Sequence, residues 1–192
     1  MANRRRPDLF DMVRTRLDDI RLLLEDMDEP AAERLVGIIR RARRVFVTGK
    51  GRSGYIASCF ATRLMQMGFE AHVPGEATCP RIGKGDLMVA ISCSGTTSTT
   101  VQFARISRDS GAMVVAVTAA ARSPLARAAH HVIVVPVTVE GVKQRYRYVL
   151  GPHSNTLFEE ALLLYFDAMV YSMLVREGIS KEHLSRRHTN LQ

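Results

Sequence analysis

The sequence predicts an α/β fold: a three-layer α/β/α sandwich on a five-stranded parallel sheet of flavodoxin-like order, preceded by two N-terminal helices. Five short runs rich in apolar residues carry that prediction: VFVT (45–48), EAHVP (70–74), LMVAIS (87–92), MVVAVT (113–118) and HVIVVP (131–136). Runs apolar on both faces are the mark of strands covered on both sides. Helix-length segments separate the runs, and right-handed crossovers between parallel strands put helices on both sides of the sheet.

Taken in order, residues Asp8 to Met27 carry apolar side chains at Leu9, Met12, Val13, Leu17, Ile20, Leu24 and Met27, a stripe of helical period. Pro30 suits the first turn of a second helix bearing Leu35, Val36, Ile38 and Ile39. Strands and crossover helices then alternate. Ser123-Pro124 reads as an N-cap followed by proline at the first helical position. The segment between Pro136 and Pro152 is less regular and suits a hairpin or a cover over a neighbour. From Thr156 to Arg176 the chain is apolar almost all round, which predicts a helix buried partly by another subunit. The organisation expected is one domain over 1–192, with N-terminal helices in 1–44, the parallel core in 45–136, and a cover segment and C-terminal helix in 137–192.

A chain of 192 residues can bury a sizeable core without disulfides or metal. Cys59, Cys79 and Cys93 cannot pair completely, form no CxxC, and no secretory leader opens the chain, so a reducing cytoplasm is expected. The apolar run Ala161 to Val175 is interrupted by Asp167 and falls short of the ~20 residues a bilayer requires, so no membrane partner is expected. The net charge of +8 would suit nucleic acid, but Arg4 to Arg6 and Arg186-Arg187 are terminal and no basic stripe emerges. Arg40, Arg41, Arg43 and Arg44 end a predicted helix, where cations offset its dipole on a solvated face. No nucleic-acid partner is expected.

Two glycine loops carry the chemistry. GKGRSG (Gly49, Lys50, Gly51, Arg52, Ser53, Gly54) follows the first strand and matches the GxGxxG pattern of dinucleotide sites, with Glu70 downstream. In such a site the acid ends its strand, whereas Glu70 begins one and stands at the opposite sheet edge, which argues against NAD. The second loop, after the third strand, packs seven hydroxyls between Ser92 and Thr100 around Gly95. Unpaired N–H groups and partial positive charge at a helix N-terminus, joined by hydroxyl donors, make a cradle for a phosphate dianion. Only one hydroxyl is needed for a helix cap, so the surplus points to a ligand. GxxxxGK[ST] is absent, which leaves Mg-nucleotide binding unsupported. A flavodoxin-like order makes the first and third strands neighbours, so both loops border one crevice. GKGRSG then shapes the wall of a sugar-phosphate pocket and SCSGTTS grips the phosphate.

GRSG (51–54), the run from Gly75 to Asp86, the Ser-x-Ser-Gly-x-Thr cradle (92–97) and TLFE (156–159) resemble the sugar isomerase (SIS) domain family, and within it the 6-phospho-3-hexuloisomerases. The resemblance runs from about Val45 to Tyr171. It implies five parallel strands with flanking helices, a homo-oligomer (dimer or tetramer), and no metal or organic cofactor. The activity implied is interconversion of 3-hexulose 6-phosphate and fructose 6-phosphate, a step of formaldehyde fixation through ribulose monophosphate. It also implies that Glu159 is the base moving a proton between neighbouring carbons. Read locally, Thr156-x-x-Glu159 is a capping box instead. Two departures stand beside the expected pocket: Thr96 where the family usually has Glu, and His153-Ser154-Asn155 where it has Pro-x-Gly.

The candidate site is therefore Glu159 as base and His153 as ring opener or proton shuttle. Gly51, Arg52, Ser53, Glu76, Ser92, Ser94, Gly95, Thr96 and Thr97 are expected to hold the substrate. Cys79 and Cys93 sit in or beside the pocket as apolar filler, with no neighbouring base to make either a nucleophile. His72, His130 and His131 lie within or at the start of strands, away from the chemistry. Thr96 and His153 leave open a different sugar phosphate, such as an arabinose or heptose phosphate, and a sensor that binds without turnover is the non-enzymatic alternative.

Overall fold

The structure, a computed structural model, describes residues 8–137, 155–188 and 190. Predicted features in 138–154, including His153 and the cover segment, lie outside the described residues. The element order is α1 (Leu9–Glu25), α2 (Glu29–Arg41), β1 (Val45–Thr48), α3 (Arg52–Met67), β2 (Ala71–His72), β3 (Leu87–Ile91), α4 (Ser98–Asp109), β4 (Met113–Thr118), α5 (Pro124–Ala128) and β5 (His131–Val134). Helices α6 (Asn155–Glu177) and α7 (Lys181–Arg187) follow.

The five strands form one parallel sheet ordered β2-β1-β3-β4-β5, the flavodoxin-like order expected. Because strand side chains alternate, the two faces separate cleanly by residue parity. Val45, Val47, Leu87, Val89, Ile91, Val115 and Val117 face α1, α2, α3 and α6. Phe46, Met88, Ala90, Val114 and Ala116 face α4 and α5. Each face is closed by apolar helix surface, and Phe60 of α3 stacks on Phe166 of α6 with centroids 4.1 Å apart.

Strand β2 is shorter than EAHVP suggested, only Ala71–His72. Pro74 has no N–H for a ladder and Gly75 turns the chain at φ +111°, so pairing at this edge stops early. Helix α1 opens on a capping box: the Asp11 N–H donates to Asp8 Oδ1 at 2.8 Å and the Asp8 N–H to Asp11 Oδ2 at 3.3 Å. Helix α6 buries Leu157, Phe158, Ala161, Leu162, Phe166, Met169, Val170 and Met173. Its burial within this chain is one-sided, since Leu164, Tyr171 and Val175 stay exposed. Among the described residues, no helix is long and apolar enough to cross a membrane.

The arginine run does not behave as one solvated face. Arg40 and Arg41 do end α2, but Arg43 and Arg44 lie beyond it and both donate to Asp86, whose side chain is fully buried. Burial pushes the Asp86 carboxyl up, and the bonds from Arg44, Arg43 and the Gly83 N–H more than reverse this, leaving it at about 2. A carboxyl held below its ordinary 3.8 adds stability that is complete above that value and lost as pH falls through about 2. The shift is worth on the order of 2 kcal/mol. Asp86→Asn is expected to lower Tm by about 4–8 °C at pH 7. Calorimetry at pH 2 should show that gap largely closed; an equal gap at both pH values would disprove the linkage.

Candidate active site

Strands β1 and β3 are adjacent and in register from Val45↔Leu87 to Thr48↔Ala90, so their carboxyl ends finish side by side. The loops that follow, 49–51 and 92–97, border one cleft of about 250 Å³. Lys50, Gly51, Arg52 and Ser53 form one side, Ile91, Ser92, Cys93, Ser94 and Thr97 the other, and Glu159 of α6 completes it. A larger apolar hollow of about 520 Å³ lies between α3, α6 and α7. We place the chemistry in the smaller cleft because, unlike that hollow, it joins hydroxyls, two helix starts and a buried carboxylate.

Both helix starts lack a side-chain cap: Gly51 stands before α3 and Thr97 before α4 without such a bond. At Gly51 the backbone takes φ +58°, ψ −135°, a region open to glycine alone, which lets the chain turn directly from strand to helix. Thr97 precedes α4 but its hydroxyl does not cap the helix. Its Oγ1 instead pairs with Ser92 Oγ at 2.9 Å. Ser94 Oγ pairs with Thr96 Oγ1 at 2.9 Å. The first N–H groups of α4 are left for a ligand, with hydroxyls beside them.

The cradle is braced from behind by the β4–α5 connection. Thr118 Oγ1 and the Ala119 N–H donate to the Cys93 carbonyl at 3.1 and 3.0 Å, and the Leu125 N–H donates to the Gly95 carbonyl at 3.0 Å. Ser123 caps α5 by accepting from the Ala126 N–H at 3.2 Å, as its place before Pro124 predicts. It also packs against Gly95, where φ is +64° and an added Cβ would stand 2.0 Å from Ser123 Oγ. Gly95 is thus a floor beneath the cradle, and its N–H donates to Ser92 Oγ at 3.1 Å.

The Glu159 carboxylate does not fold back on its own helix start, as a capping box would have it. Oε2 accepts from Arg52 Nε, and Ser53 Oγ donates to Oε1 at 3.4 Å. Its side chain is 6 % exposed although it faces the cleft. Burial, then the negative charge of Glu159, pushes the Cys93 thiol up to about 11. This sulfur stays protonated near neutral pH, which fits a non-covalent site.

Of the residues nominated from sequence, Gly51, Arg52, Ser53, Ser92, Ser94, Thr97 and Glu159 line this cleft. Gly95 is buried below it, and Thr96 is exposed and reaches it only through Ser94. Glu76 is exposed beyond β2 and does not line the cleft. Cys79 packs on the opposite sheet face near Phe46 and Met88, outside the cleft. Lys50 lines the cleft without having been nominated; its position directly after β1 and Gly49 was the available signal.

The SIS domain family matches residues 38–146. A 3-hexulose-6-phosphate isomerase of Mycobacterium gastri is 36% identical over 149 residues, 78% of this chain and 74% of the relative. The protein of that name from Bacillus subtilis is 32% identical over 161 residues, 84% and 86% of the two chains. A solved structure from Methanococcus jannaschii, described as implying 3-hexulose-6-phosphate isomerase activity, superposes with TM-score 0.80 at 28% identity, covering 95% of this chain and 99% of that one. With a domain match across more than half its length, and with the sheet order and paired loops described above, this chain belongs to the SIS domain family.

Proposed function

We propose that the protein is a cofactor-independent sugar-phosphate isomerase interconverting 3-hexulose 6-phosphate and fructose 6-phosphate through an enediol. The observation that carries this reading is a buried carboxylate, Glu159, sharing one small cleft with a hydroxyl-rich, uncapped helix start. The phosphate dianion binds at Ser92, Ser94 and Thr97 against the N-terminus of α4. A volume of about 250 Å³ is below the ~300–1,000 Å³ of drug-sized pockets and suits one small ligand.

With the phosphate held, Glu159 removes the C3 proton of open-chain fructose 6-phosphate. The electron pair forms the C2–C3 double bond of the enediolate. The hydroxyl proton passes from O3 to O2, and Glu159 returns its proton to C2, leaving the carbonyl at C3. Atoms and charge balance without a co-reactant. His153 remains the proposed carrier for ring opening.

Incubating fructose 6-phosphate with the protein in D2O tests this by proton NMR. Deuterium entering C3 is the expected result. Exchange at C1 would mark 1,2-isomerisation of another kind, and a ligand-induced rise in Tm without exchange would mark a sensor; either overturns the proposal. The relatives' names support the substrate, and a panel of arabinose and heptose phosphates should exchange more slowly.

The reading extends to a homo-oligomer in a cytoplasmic setting. Leu9, Phe10, Val13 and Leu17 form an exposed stripe along α1, 45 to 74 % accessible, at the spacing of one helix face. A second copy covering that face would bury it. Light scattering should find Leu17→Glu shifted toward smaller species; unchanged mass would remove α1 from the interface.

A further inference from the structure

The Arg52–Glu159 pair is lopsided. The carboxylate side chain is 6 % exposed and the arginine 61 %. Glu159 follows the fully buried Phe158 in α6 and has Ser53 Oγ at its second oxygen, so packing holds it in place. Among the described residues Arg52 has no other partner and reaches Glu159 through Nε alone, with no acceptor there for either Nη group. If either member moves, it is the arginine.

That contact covers one oxygen of the proposed base, and Ser53 Oγ stands at the other. A substrate proton arriving at Oε2 meets a guanidinium already bonded there. The phosphate cradle lies across the same small cleft, and a phosphate dianion can take two parallel guanidinium N–H bonds where this carboxylate takes one.

We propose that Arg52 is a hand-over residue: the substrate's phosphate draws its guanidinium off Glu159, so the base is uncovered only when a dianion fills the cradle. The inference rests on the sugar-phosphate reading of this cleft and deepens it. An unphosphorylated sugar that diffuses in finds the base still covered. Phosphate recognition is thereby felt in the chemical step as well as in binding, which is how binding energy from a non-reacting part of a substrate raises turnover.

The test uses the whole 15N-labelled protein titrated with inorganic phosphate. The backbone amides of Gly95 and Ser98 report filling of the cradle. The Arg52 Nε–H signal, assigned by its loss in Arg52→Gln, reports the ion pair. Both are expected to move along one saturation curve, with the Nε proton shifting upfield as its carboxylate bond breaks. Amides that saturate while the Nε signal stays fixed would overturn the hand-over alone. Amides that never respond would overturn the phosphate reading, and the hand-over with it. A kinetic arm follows C3 deuteration of unphosphorylated fructose with and without phosphite. Phosphite should accelerate exchange about tenfold in the wild-type protein, within the range of coupled sites. In Arg52→Ala the exchange should already be raised without phosphite and respond less than about twofold to it. Equal stimulation of the two proteins, or basal exchange lowered in the variant, contradicts the proposal.

Discussion

Glu159→Gln is expected to lower the rate of isomerisation by about 10³-fold, inside the range of 10²–10⁴ for loss of a positioned general base. The amide keeps the shape of the side chain, its carbonyl oxygen can still accept from Arg52 and its NH2 can donate to Ser53 Oγ, so the buried start of α6 stays filled. What it loses is the capacity to take a proton from carbon. Because the cradle at Ser92, Ser94 and Thr97 is untouched, fructose 6-phosphate should bind within a few-fold of wild type by calorimetry. The effect therefore falls on kcat rather than KM, as for an interaction made only in the transition state. Glu159→Asp keeps the base but withdraws it by one methylene, and displacement of that order costs about 10²-fold. A Gln variant turning over near the wild-type rate would strip Glu159 of its role and leave it as an anchor for Arg52.

The two glycine loops were legible because strands buried on both faces announce themselves as continuous apolar runs, and topology then brings their carboxyl ends together. A parallel sheet in which β1 and β3 are neighbours leaves little choice about where 49–51 and 92–97 meet. The misreadings lie where short-range signal fails. Helix α7, KEHLSRR, has no apolar period, and only its Ser180 cap marks it. The Asp8–Asp11 capping box carries aspartate at the position glutamate usually fills, which blurs its signature in the sequence. Strand β2 is shorter than the run EAHVP because β-leaning residues continue to Val73 while hydrogen bonding at the edge ends sooner.

Long-range partners were the least accessible. Arg43 and Arg44 meet Asp86 across more than forty residues, so a run that looked like helix-end decoration is half a buried ion-pair cluster. Locally, Thr156-x-x-Glu159 is a capping box; only the fold brings α3 close enough to claim both carboxylate oxygens. Glu76 shows the converse error, since standing at the right sheet edge does not put a side chain into a cleft formed one strand further in. Order along the chain predicts which loops converge, and packing decides which side chains within them face one another.

Gly95→Ala should lower both stability and phosphate binding. Two costs coincide there. The backbone sits at φ +64°, where a side chain costs about 1–2 kcal/mol. The added Cβ would also stand 2.0 Å from Ser123 Oγ and 2.3 Å from Ser123 Cβ, and both belong to the capped start of α5 rather than to a flexible chain end. Overpacking of that kind costs about 1–3 kcal/mol. A total of about 3 kcal/mol lowers Tm by roughly 6–12 °C in a chain of this size. The relaxation must also pass into the cradle, because the Gly95 N–H bonds Ser92 Oγ and its carbonyl holds the Leu125 N–H. Phosphate affinity is accordingly expected to fall at least about tenfold, a loss of about 1.4 kcal/mol. Ser123→Gly in the same chain removes the obstructing side chain and loses only a few tenths of a kcal/mol in cap strength. The double variant should recover part of the Tm and of the affinity, the remainder being the backbone strain that Ser123 does not cause. Calorimetric melting with phosphate titration of the two variants would separate these contributions. A Gly95→Ala protein that melts and binds like the wild type would show that the cradle does not depend on its contact with the β4–α5 connection.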